Sequence, residues 1–137
     1  MAAEYLVWSS SLVTGIPEID AQHRGLIEKV NGIYAAMTAG HEVKALLAEL
    51  MVHTHAHFRF EETLMSRARY PGLKNHMLSH QALLARAQLQ LDAYFNGEAS
   101  PIALAKFISR AVVDHIKESD LAYVPYVAGG AAGKQTA

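Results

Sequence analysis

Apolar residues recur at spacings of three and four in successive stretches of the chain, which is the pattern of an amphipathic helix. Short segments rich in glycine, proline, asparagine or threonine separate these stretches, and no segment shows a strand pattern that competes with them. The predicted helices cover about residues 17–38, 42–67, 72–95 and 101–118. Helices of this length with short connections pack antiparallel, so we predict an all-α, up-down-up-down antiparallel four-helix bundle.

Local signals mark where two of the helices begin. Pro17 suits the first turn of the first helix, and Ser100 followed by Pro101 is an N-cap followed by proline at the first helical position. The tail, residues 127–137, lacks apolar anchors and is predicted to be disordered, so one bundle domain spans residues 1–126. Residues 1–16 are predicted to form an irregular N-terminal arm packed by Tyr5, Leu6, Trp8 and Val13.

Composition excludes several classes of protein. A chain of 137 residues with 51% hydrophobic residues is long enough for one domain with one core. The net charge is −1 and Lys and Arg do not cluster along the chain, which argues against a nucleic-acid partner. No apolar run is long enough to span a membrane, and Glu4 without a basic segment argues against a secretory signal, so we expect a cytoplasmic protein. Cysteine is absent, which excludes disulfides and thiolate metal sites.

Histidines are abundant and unevenly placed, with eight in the chain and five of them between His53 and His80. The segment HTHAHFRFEE, residues 53–62, places three histidines at alternating positions, as one face of a strand would. The segments on both sides of it have helical spacing and no turn residue separates them. We therefore interpret HTHAHFRFEE as part of the second helix, where the alternation is incidental.

Every predicted helix places at least one histidine on its apolar face. Polar groups on an apolar face need a partner. Residues four apart share one face of a helix, as His57 and Glu61 do on the second helix and His76 and His80 on the third. One inward histidine is usually satisfied by a neighbouring hydroxyl or carbonyl, but six groups converging from four helices indicate metal binding. These six groups are His23, His57, Glu61, His76, His80 and His115.

The ligand types narrow the choice of metal without deciding it. Imidazole and carboxylate ligands suit Fe, Mn, Zn or Cu, and their number exceeds what one tetrahedral zinc needs, which favours two ions. On a helical wheel centred on His57, Glu61 lies on the same face, and His55 and Glu62 are expected to face outward. His53 also lies within reach of that face, so spacing alone leaves His53 and His57 as alternative metal ligands.

Four segments in order resemble the hemerythrin-like family, in particular the bacteriohemerythrins. They are TGIPEIDAQH (14–23), HFRFEETLM (57–65), YPGLKNHMLSH (70–80) and HIKESD (115–120), and the resemblance runs from Trp8 to about Tyr126. It implies a bundle that encloses two iron ions, with an oxo or hydroxo bridge, and that binds O2 reversibly. The implied metal ligands are His23, His57, His76, His80 and His115, with Glu61 and Asp120 as bridging carboxylates.

The resemblance selects two residues that spacing alone does not. It favours His57 over His53, and it favours Asp120, which lies about 140° from His115 on an ideal α-helix. The fourth helix must therefore end or widen near Ser119 for Asp120 to reach the site. It also implies that His76, His80 and His115 belong to one iron, and His23 and His57 to the iron with an open position.

One position departs from the family. Members often have tryptophan four residues before the histidine of the last helix, where this chain has Ala111. The smaller side chain either opens a channel beside the irons or leaves space that Phe107 fills. The residues predicted to form the apolar walls of the O2 pocket are Leu26, Ile27, Phe58, Ala111 and Val112.

The predicted function is reversible O2 binding by a carrier or store, not an enzyme. We expect a monomer whose partner is O2, with a downstream O2-consuming enzyme as a further possible partner. The alternatives are a module that senses O2, NO or redox state, a weak di-iron peroxidase or oxidase, and an iron-storage or structural zinc protein.

Overall fold

The computed structural model describes residues 6–117 and 122–127. Its long helices are α1 (Pro17–Thr38), α2 (Lys44–Arg67), α3 (Leu73–Phe95) and α4 (Pro101–His115). Helix α1 packs against α2 and α4, and α3 packs against the same two helices, so the four form a closed ring. No strand occurs in the described residues. The predicted all-α, up-down-up-down bundle is confirmed.

The helix ends follow from local chemistry. Pro17 opens α1, and the Ser100 side chain accepts a hydrogen bond of 3.1 Å from the backbone N–H of Ala103 at the start of α4. Gly40 and Gly97 follow α1 and α3 with φ values of 75° and 76°, a left-handed conformation that glycine adopts without a steric penalty. These turns keep the connections short and make successive helices antiparallel.

The apolar core occupies one end of the bundle. It is built from the C-terminal halves of α1 and α3 and the N-terminal halves of α2 and α4, which the antiparallel arrangement brings to the same level. Full burial of one such side chain contributes about 1.5–3 kcal/mol. Its most buried members are Val30, Ile33, Val43, Leu47, Leu104 and Ala105. The other end of the bundle is therefore left for polar side chains.

The N-terminal arm is tied to α1 by polar as well as apolar contacts. The Leu6 backbone N–H donates to Asn31 Oδ1 at 2.8 Å, and Asn31 Nδ2 donates back to the Leu6 carbonyl at 3.0 Å. The Trp8 ring lies 4.8 Å from the Arg24 guanidinium. The prediction for Val13 is wrong: it is 44% exposed, and Leu12, in the 3₁₀ turn Ser10–Leu12, is buried instead. Tyr5 lies outside the described residues.

The last helix changes character after His115. It was predicted to continue to 118, but the α-helix ends at His115 and residues 116–117 form a wider π turn. Helix occurs again at 122–127, which includes the first position of the predicted tail, while the rest of that tail lies outside the described residues. None of the helices in the described part combines the length and apolar character needed to cross a bilayer.

Replacing Ser100 with alanine should destabilise the protein by about 1 kcal/mol, because the backbone N–H of Ala103 loses its acceptor at the start of α4. Thermal or urea unfolding of the Ser100→Ala protein measures this effect. Ser66→Ala, at an exposed position inside α2, is the matched control and should be neutral or slightly stabilising. Equal stability of the two variants would contradict the capping role.

Candidate metal centre

Buried polar side chains converge at the end of the bundle opposite the apolar core. Helix α1 contributes His23 and α2 contributes Glu61, both 0% exposed. His57 on α2 and His76 and His80 on α3 are also buried, and His115, the last residue of α4, is half-buried. The structure thus brings together six of the seven residues predicted to bind metal. The seventh, Asp120, lies outside the described residues.

The carboxylate of Glu61 lies at the centre of this cluster. Its Oε2 lies 3.3 Å from His57 Nε2 and 3.6 Å from His23 Nε2. Its Oε1 lies 3.2 Å from His80 Nε2 and 4.0 Å from His76 Nε2. Oε2 therefore faces one histidine of α1 and one of α2, and Oε1 faces two histidines of α3.

Two groups of potential ligand atoms share Glu61. One group consists of His23, His57 and Glu61, and the other consists of Glu61, His76, His80 and His115. Within each group the ligand atoms lie within 4.8 Å of one another. The division into two and three histidines is the one that the family resemblance implies.

The chemistry of this donor set fits bound metal. A buried polar atom without a partner is costly, and within the described residues His57 Nε2 and Glu61 Oε1 make no hydrogen bond. Burial raises the pKa of Glu61, but the imidazoles of His23, His57 and His80 outweigh this effect, and its pKa lies well below the usual range. The carboxyl group is therefore held as an anion, the form that binds a cation.

Hydrogen bonds on the outer side of two histidines set their orientation. His57 Nδ1 lies 2.5 Å from Gln22 Oε1, and His80 Nδ1 lies 2.7 Å from Glu62 Oε2. Amide and carboxylate oxygens accept hydrogen bonds, so each Nδ1 carries the proton and donates it. In a neutral imidazole this leaves Nε2, which faces the centre, with the lone pair that metal binding requires.

The expectation that Glu62 faces outward is wrong. Its side chain is only partly exposed and reaches His80 on α3. A helical wheel positions the Cα atom correctly, but a flexible glutamate side chain extends along the surface to the neighbouring helix. Sequence reasoning also missed Gln22, although it directly precedes His23.

Tyr123 is a further residue of the centre that sequence reasoning did not identify. Its hydroxyl donates a hydrogen bond of 2.8 Å to Glu61 Oε2, and its side chain is fully buried. The helical prediction ended before this residue, so no spacing argument reached it. An inward aromatic residue eight positions after His115 was the available signal.

The other histidines of HTHAHFRFEE lie elsewhere. His53 and His55 are exposed and belong to neither ligand group, and His57 is buried in the centre. The segment is helical throughout, so the alternation of its histidines is incidental, as predicted.

An apolar cavity of about 70 Å³ adjoins the histidines. Phe58 lies in its wall and stacks on His80, with ring centroids 3.7 Å apart and planes 3° from parallel. Of the residues predicted to form apolar walls, Ile27 does not line this cavity and packs against Leu12 and Ile116 instead. The others, Leu26, Phe58, Ala111 and Val112, all line it.

The sequence left two alternatives for Ala111, a channel beside the irons or a space that Phe107 fills, and the structure bears on both. Phe107 lines the inner cavity beside Ala111, so it occupies part of the space. Both residues also line a groove on the outer surface between α3 and α4. At this position, a single layer of side chains separates the cavity from the groove.

Comparison with known proteins agrees with this geometry. A family model described as the hemerythrin HHE cation binding domain matches residues 14–127. A bacteriohemerythrin from Stenotrophomonas maltophilia is 35% identical over 89% of this chain and 81% of its own length. One from Pseudomonas aeruginosa is 33% identical over 90% and 82%, and myohemerythrin-1 from Phascolopsis gouldii is 28% identical over 88% and 92%. With its histidine- and carboxylate-lined bundle, the chain belongs to the hemerythrin family.

Proposed function

We propose that this protein binds O2 reversibly at a non-haem di-iron centre. The observation that carries the proposal is that two groups of histidines, four of them buried and one half-buried, share one carboxylate, Glu61. A carboxylate has two oxygens and can serve two ions, and imidazole together with carboxylate suits iron. The proposed ligands are the five histidines His23, His57, His76, His80 and His115, with Glu61 and Asp120, of which Asp120 rests on the HIKESD motif alone.

Two iron ions in this cage would supply a redox-active pair at which O2 is taken up and released. The chain itself supplies a dry environment next to them. Leu26, Phe58 and Val112 offer no hydrogen bond to water in the adjoining cavity, so water and protons are disfavoured there. Limited proton supply favours the release of O2 over its reduction.

The ligand composition favours binding over oxidation chemistry. Di-iron carboxylate proteins of the ferritin-like class use a glutamate from each of two helices and a Glu-x-x-His motif from each of the other two. The proposed centre has five histidines and two carboxylates, with neutral ligands in excess. We therefore propose an O2 carrier or store. We further propose that it is a cytoplasmic monomer and that it supplies O2 to a downstream O2-consuming enzyme.

The reduced, iron-loaded protein should gain a visible absorption band when O2 is admitted and lose it when O2 is removed. Repeated cycles of gas exchange in an optical cell measure this reversibility. The zinc-loaded protein is the control and should show no band, because zinc has no redox chemistry. A spectrum that does not respond to O2, or that changes once and does not return, would contradict reversible binding.

Replacing His57 with alanine should lower the iron content from about two ions per chain to one or fewer, because one histidine group then loses half of its imidazoles. His53→Ala and His55→Ala are matched controls from the same helix and should retain full iron content, since both side chains are exposed. Metal analysis of the three purified proteins gives the comparison. Loss of iron in the His53 variant would overturn the assignment of His57.

Replacing Glu62 with alanine should weaken metal binding by about 10- to 100-fold, because His80 loses the acceptor that fixes its ring and its tautomer. Competition with a chelator measures the affinity. Glu62→Gln keeps an acceptor oxygen and should restore most of the affinity, and Glu28→Ala, exposed on α1, should leave it unchanged. If the glutamine and alanine variants behave alike, Glu62 does not act through its hydrogen bond.

A further inference from the structure

The outer groove between α3 and α4 has the size and the chemical character of a ligand site. Its volume is about 890 Å³, within the range of about 300–1,000 Å³ that is usual for small-molecule pockets. Its apolar surface comes from Leu83, Phe107 and Ala111. The groove adjoins the histidine centre, because His115 lines the groove and also belongs to one ligand group.

Positive charge is concentrated along this groove. Arg86 on α3 and Lys106 and Arg110 on α4 line it, and Asp114 is its one acidic residue among those described. Lys106 and Arg110 are four residues apart, so they stand side by side on one face of α4. The whole chain has a net charge of −1, so this is a local excess of cations on a nearly neutral protein.

The cations of the groove are not neutralised by partners. Among residues 6–117 and 122–127, no carboxylate forms an ion pair with Arg86, Lys106 or Arg110. Guanidinium groups bind carboxylates, and tetrahedral oxyanions such as phosphate, through two parallel hydrogen bonds. An anionic ligand would therefore find donors that no internal carboxylate occupies.

We propose that the α3–α4 groove binds a small organic anion. A carboxylate or sulfonate would contact Arg86, Lys106 and Arg110, and an aromatic or aliphatic body would lie on Phe107 and Leu83. Because Phe107 and Ala111 also line the inner cavity, the bound anion would cover the thin wall beside the metal centre. The groove is formed by protein side chains alone, so binding does not require iron.

Binding of 2-naphthoate to the full-length chain tests this proposal, in both the metal-free and the iron-loaded protein. Calorimetry should show binding that weakens with added salt, and uncharged 2-naphthamide should bind about tenfold more weakly, the loss expected for one charge-assisted hydrogen bond. Backbone amide NMR signals of residues 79–90 and 103–115 should shift. Equal affinity for the two compounds would overturn the proposal, as would shifts confined to α1 and α2.

Two double variants distinguish the effect of charges in the groove from the effect of net charge on 2-naphthoate binding. Lys106→Glu with Arg110→Glu should weaken 2-naphthoate binding by about tenfold or more. Arg59→Glu with Lys74→Glu makes the same change in net charge at exposed positions outside the groove and should alter affinity less than about twofold, because salt screens distant charges. Equal effects of the two pairs would contradict a site in the groove. The metal-free measurements keep this result independent of O2 binding.

Discussion

The buried carboxylate of Glu61 is the constraint on which the rest of the histidine-rich end depends. A charge taken out of water is costly unless it is paired and hydrogen-bonded, and this one is completely buried. Its compensation comes from imidazoles of α1, α2 and α3 and from the hydroxyl of Tyr123. Helices α1, α2 and α3 must therefore hold one relative register at this end, because a shift of any of them would remove part of this compensation.

The opposite end of the bundle supplies the stability that this polar end does not. Leu47 and Leu104 are 1% exposed, and Val30 and Ile33 are 2% exposed, within a core of aliphatic side chains at one level of all four helices. Such packing is insensitive to the protonation or metal content of the histidines. The bundle thus separates a stabilising end from a reactive end, and each helix contributes to both.

Much of the fold could be predicted because its signals are local. Spacing of apolar residues positions the helices, and Pro17 and Ser100 mark helix starts through chemistry within a few residues. The same spacing brings Glu61 to the face of His57 and turns His55 outward. It could not choose between His53 and His57, because that choice depends on where α1 and α3 lie against α2. Contacts between helices, such as Glu62 with His80 and Gln22 with His57, could not be predicted from this spacing for the same reason.

The end of α4 shows how a local departure from the α-helix serves the centre. On an unbroken α-helix, Tyr123 would lie about 80° from His115 and Asp120 about 140° from it. A π turn at residues 116–117 advances the chain by fewer degrees per residue than an α-helix does, so the 100° spacing of α4 does not carry past it. Tyr123 is fully buried and bonded to Glu61, so the chain beyond the turn does return to the centre. Regular helical spacing therefore cannot be extended past His115, and the prediction of Asp120 as a ligand rests on the HIKESD motif alone.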